Sequence, residues 1–177
     1  MKKIVAVLGT IMIMLSMVGC GLAKPTDPAE LKKNSGTMFE GKYGYGGIVE
    51  ENYLSTIDYT VKYDGTVEMT KEYILLGAPC KFYATATLTD SELTAIYDAS
   101  KASLKKNDFG NYVIDGWDGG IWTFTFYEAG STLGEELFHG SFSGGNNALD
   151  TFRNVLEHYS NTVDFYNADG DAEPALN

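Results

Sequence analysis

Cysteine is almost missing from this chain. Two residues in 177, Cys20 and Cys80, exclude a disulfide-framework miniprotein and a cysteine-rich zinc domain. Positive charge is scarce too. Thirteen Lys and Arg stand against 24 Asp and Glu, and the formal charge of −11 argues against nucleic acid as a partner. After the first 23 residues no apolar run is long enough to span a bilayer, which excludes a polytopic membrane protein. Histidine occurs only at His139 and His158, neither with a ligand cluster near it in sequence, so no zinc site is expected. What is present, 44% hydrophobic and 13% aromatic residues, suits one packed core.

The apolar run lies at the start. Met1-Lys2-Lys3 is cationic, and Ile4 to Val18 is apolar throughout. As a helix that run reaches about 22 Å, short of a ~30 Å hydrocarbon core, so residues 1–19 read as a secretory signal. The run ends in Met17-Val18-Gly19-Cys20, which resembles the lipobox of bacterial lipoproteins, with Met17 where leucine is usual. The resemblance implies that the Cys20 thiol receives a diacylglycerol and that the signal is cut before it. It also implies that the freed amine is open to acylation by a fatty acid such as palmitate. An uncleaved anchor extended to Ala23 is the alternative, and both readings put the domain outside the cytoplasm at the cell membrane. The resemblance covers the first 20 residues and implies nothing about the rest. With Cys20 a thioether, Cys80 is left unpaired; it reads as a small buried hydrophobe, since only Lys81 adjoins it to stabilise a thiolate.

Residues 20–36 are small, polar and Pro-containing with no apolar period, and read as a flexible tether of charge +1. Residues 37–166 read as a single domain, and 167–177 as a polar tail. From residue 37 onward, 8 basic against 22 acidic residues leave the head at −14. That acidity keeps a secreted domain soluble and holds it off an anionic membrane surface. The tail offers no apolar face, so its loss is expected to move the melting temperature by no more than about a degree or two.

Gly41 to Gly47 reads as an irregular edge strand or loop. Ile57 to Val61 alternates with period two, and Val67 and Met69 resume the pattern. A two-residue turn at Asp64-Gly65 would put the two apolar sets on opposite faces. A three-residue loop, Tyr63-Asp64-Gly65, pairs Val61 with Val67 and Tyr59 with Met69 and buries all four together. Phe82 to Leu88 follows, then a helix opened by the capping box Thr89/Glu92, with Leu93, Ile96, Tyr97, Ser100 and Leu104 inward. Trp122, Phe124 and Phe126 form a second hairpin with Leu137 to Phe142, pairing Phe124 with Phe138 and Trp122 with Gly140. A second helix, capped by Gly144-Gly145-Asn146-Asn147, carries Leu149, Phe152, Val155, Leu156 and Tyr159 inward. The fold expected is α+β, about six antiparallel strands in β-β-β-α-β-β-α order with two amphipathic helices on one face.

Catalytic signatures are few. No Gly-x-Ser-x-Gly elbow, P-loop or dinucleotide fingerprint occurs. Asn167 to Glu173 partly matches a calcium loop, but Phe165 and Leu176 would occupy its first and last ligand positions, and neither can ligate. Asp115 and Asp118 read as turn residues around Trp117. Neither a metal nor a cofactor is expected. The aromatic residues remain: Trp117 with Tyr112, and Tyr43 with Tyr45, have flanking glycines that let a ligand approach. Trp117 either folds over the sheet end or joins such a patch. The function expected is a non-enzymatic, membrane-tethered binding domain for a protein or glycan partner. The alternatives are a structural accessory subunit of an envelope complex and an envelope hydrolase.

Overall fold

The structure, a computed structural model, describes residues 26–45, 52–106, 120–142 and 144–175, with Lys105 and Lys106 through their backbone alone. In chain order the elements are α1 (Pro28–Leu31), β1 (Thr37–Gly44), β2 (Asn52–Lys62), β3 (Thr66–Leu75) and β4 (Ala78–Thr87). Then come α2 (Asp90–Lys106), β5 (Ile121–Tyr127), β6 (Gly134–Gly140) and α3 (Asn147–Thr162). The fold is α+β, with one antiparallel sheet of six strands in the order β4-β3-β2-β1-β5-β6.

Burial selects the β2–β3 register as argued from the sequence. Gly65 has a φ of +91°, its N–H donates to the Lys62 carbonyl at 3.0 Å, and Val61 faces Val67 and Tyr59 faces Met69. The second hairpin also keeps its expected pairs, Phe124 with Phe138 and Trp122 with Gly140. A bulge at Leu137 lets both Leu137 and Phe138 bury, and another at Met38 does the same for Met38 and Phe39.

Both long helices cover the apolar face. In α2 the Thr89 N–H donates to Glu92 Oε2 at 2.8 Å, and the Glu92 N–H returns a bond to Thr89 Oγ1 at 3.3 Å. In α3 Asn146 Oδ1 accepts from the amides of Ala148 and Leu149 at 3.0 and 3.2 Å. Tyr97 meets Phe126 edge-on at 5.8 Å, and Phe152 rests on Phe39 at 4.7 Å and Phe124 at 5.1 Å. The other face is polar. Lys42 pairs across strands with Asp58 at 3.2 Å, Lys81 with Glu72 at 3.3 Å, and Thr123 Oγ1 with His139 Nδ1 at 2.9 Å.

Three expectations change. The Gly/Tyr-rich stretch is no edge: β1 lies between β2 and β5. Phe39, Gly41 and Tyr43 alternate toward the helices, and a Cβ on Gly41 would lie 2.5 Å from Leu156 Cδ1. The glycine therefore marks where α3 approaches the strand backbone. The tether is shorter than 20–36. Asp27 caps α1, Leu31 is buried, and Thr26 Oγ1 donates to Asp98 of α2 at 2.7 Å. Nor are residues 167–175 a loose tail. Tyr166 bridges to Tyr83 on β4, and Glu173 reaches the core side of β3.

Candidate functional site

β1 brings Tyr43 to the helix-facing side, and the chain leaves the strand so that Tyr45 packs over it. The two rings meet edge to face, 5.1 Å between centroids and 79° apart. The Tyr43 ring also lies on Trp122 at 4.9 Å, and Trp122 stacks on Phe124 at 5.2 Å and on Tyr59 at 6.1 Å. Trp122 is buried, Tyr43 half-buried and Tyr45 56% exposed. Aromatic contacts therefore run from the core to solvent at one end of the sheet.

Burial shifts the titrating groups at this end toward their protonated forms. Burial, then the neighbouring Tyr45, pushes the Tyr43 phenol above its ordinary value. Burial also raises Tyr59, against a 3.0 Å hydrogen bond from its hydroxyl to Ser160 Oγ. Glu157, one turn before Ser160 on α3, is raised by burial, with Arg153 pulling the other way. Arg153 is itself bound to Asp150 at 2.9 Å and lies over Phe142 at 4.9 Å. Raised in this way, the Tyr43 and Tyr59 phenols stay protonated.

Beside it lies a second group. Lys71 and Tyr73 project from β3 on the apolar face, in the same parity as Val67 and Met69. Lys71 is only 8% exposed; its ammonium sits 4.1 Å from the Phe165 ring centroid and donates to both carboxylate oxygens of Glu173, at 2.8 and 2.9 Å. The Tyr73 hydroxyl donates to the same carboxylate. Burial first, then that bond and the Glu173 charge, push the Tyr73 phenol well above its ordinary value.

Of the residues expected to form a binding patch, Tyr43 and Tyr45 come together as described. Trp117, Tyr112 and the lipidation residue Cys20 lie outside the described residues. The Lys71–Tyr73–Glu173 group escapes sequence reasoning. Its one available signal is a lysine in the apolar parity of β3. Cys80 packs against the core, while the Lys81 ammonium goes to Glu72 on the opposite face. At the partial calcium loop, Asn167 Oδ1 accepts from the amides of Asp169 and Asp171 at 3.0 and 2.8 Å, closing the turn on itself. Among the described residues no group of three or more His, Cys, Asp or Glu could hold a metal ion, and no helix is long and apolar enough to cross a membrane. No protein-family model, curated protein or solved structure matches this chain.

Proposed function

We propose that the protein is a lipid-anchored extracytoplasmic binding domain, without catalysis of its own, that meets a protein or glycan partner at the sheet end carrying Tyr43 and Tyr45. The observation that carries this reading is Tyr45 itself. Its ring is 56% exposed, yet it is held edge-on against Tyr43, which rests on Trp122. An exposed ring that is already ordered loses little entropy when a sugar or an apolar side chain stacks on it.

The entry of the chain supports the same reading. Lys32 pairs with Asp90 at 2.5 Å, and the Gly36 carbonyl accepts from the Tyr63 amide at 3.1 Å, beside the β2–β3 turn. Tyr45 follows the far end of β1, whose eight residues span about 26 Å. Six residue steps separate Cys20 from Thr26 and reach at most about 20 Å. A head lipidated at Cys20 is thereby held close to the membrane, tethered where Thr26 docks on Asp98 of α2.

The test is Tyr45→Ala in the full chain, with retention on a glycan array and capture of partners from envelope extracts compared with the parent protein. Retention of the bound species is expected to fall by about fivefold or more, equivalent to about 1 kcal/mol, with the melting temperature unchanged. Unchanged retention of every species bound by the parent would remove Tyr45 from the contact surface.

A further inference from the structure

The Lys71 group stands on residues other than Tyr43 and Tyr45 and points to a separate ligand chemistry. Three of the four buried residues on β3, Val67, Met69 and Tyr73, bury apolar bodies, and the fourth carries an ammonium. A buried ion pair is no better at holding a segment down than a well-packed apolar side chain at the same place. What Lys71 and Tyr73 add is selectivity for a carboxylate. The ammonium donates to both oxygens, the phenol donates to one of them, and the Phe165 ring lies against the ammonium.

The segment that supplies this carboxylate has one further anchor, Phe165, which is buried in the core beside Lys71, and is lightly held elsewhere. Its main chain joins β4 at one residue, with the Tyr83 N–H donating to Tyr166 O at 2.9 Å and the Tyr166 N–H to Tyr83 O at 3.1 Å. The Glu173 N–H closes back on the Phe165 carbonyl at 2.9 Å, and the Asp169–Asp171 turn between them is exposed. This is peptide recognition in miniature: main-chain pairing along a strand edge, with one side chain received in a matched site.

We propose that Lys71 and Tyr73 form a carboxylate-binding site, filled here by the chain's own Glu173, and that residues 164–175 are a releasable strap whose place an extended acidic peptide can take when it also brings an aromatic ring to refill the buried Phe165 position. The strap competes from within the same chain at a high effective concentration, so the site is closed to peptide until the strap lets go. The −14 head repels acidic peptides at long range, which further favours the strap.

The experiment compares the full chain in detergent with Glu173→Ala and with Glu173→Ala/Lys71→Met. The probes are a labelled peptide copying residues 163–175, and sodium acetate against sodium chloride at equal ionic strength. Glu173→Ala is expected to bind the peptide saturably and about tenfold or more tighter than the parent, and to regain part of its lost melting temperature in acetate. Adding Lys71→Met should abolish both effects. Absence of both in Glu173→Ala would leave the contact an internal clasp and overturn the proposal. Should that variant not fold, amide exchange on the parent protein decides. Tyr166 and Glu173 amides exchanging about tenfold or more faster than Met69 mean that the strap opens by itself; equal rates mean that it opens only with the whole fold, and the proposal fails.

Discussion

At the scale of single residues, Leu76 is placed against its own chemistry. It sits at the β3–β4 turn with φ of +50°, beside Gly77 at +78°, and is 79% exposed. A left-handed backbone costs a branched residue roughly 1 kcal/mol that asparagine or glycine largely avoids. Leu76→Asn is therefore expected to raise stability by about 1 kcal/mol in chemical denaturation, because the 2.8 Å bond from the residue 76 amide to Asn52 Oδ1 survives the change. Glu157 is a second such residue. Its folded pKa lies above the ordinary carboxylate value of 4.5, so the native state keeps this proton longer than the unfolded chain does. Stability from this group is greatest below pH 4.5 and falls as pH rises through the folded value. Glu157→Gln should match the parent protein near pH 4 and melt higher at pH 7. Melting curves at the two pH values check this, and an identical gap at both would contradict it.

At the scale of elements, local signals were legible and remote ones were not. The capping box of α2 and the Asn146 cap of α3 bond residues two or three apart, so the pattern and the contact are the same information. The Tyr63-Asp64-Gly65 loop was legible because burial on one face rejects the other register. By contrast, α1 is held by a bond across 72 residues and the strap by one across 102, and nothing near Thr26 or Glu173 in sequence announces either partner. Removing residues 167–177 is consequently expected to cost about 3 kcal/mol, because it leaves Lys71 charged and buried without a counter-ion. Urea denaturation of the truncated chain measures this. A loss under about 0.5 kcal/mol would mean that the lysine rehydrates freely.

At the scale of the whole molecule, charge and anchoring act together. The head carries −14 beyond residue 36. The proposed anchor leaves it six residue steps between Cys20 and Thr26, where the sequence alone suggested sixteen residues or more of slack. Cys20→Ser is expected to abolish lipid labelling and move the protein from the membrane fraction to the soluble one. Retention of the variant in membranes would favour the uncleaved-anchor reading instead.

The sequence by itself determined which residues alternate inward on β2, β3 and β5, the registers of two hairpins and both helix starts. Each depends on neighbours a few residues apart and on hiding one apolar face from water. Tyr43 and Tyr45 could be singled out in the same way, as large rings among glycines. Only the tertiary structure decided that β1 is central, that residues 26–32 dock on α2, and that a lysine in the apolar parity of β3 receives Glu173 from the end of the chain. These depend on which distant surfaces complement one another, and a charge buried on one strand gives no sign of where in the sequence its counter-charge lies.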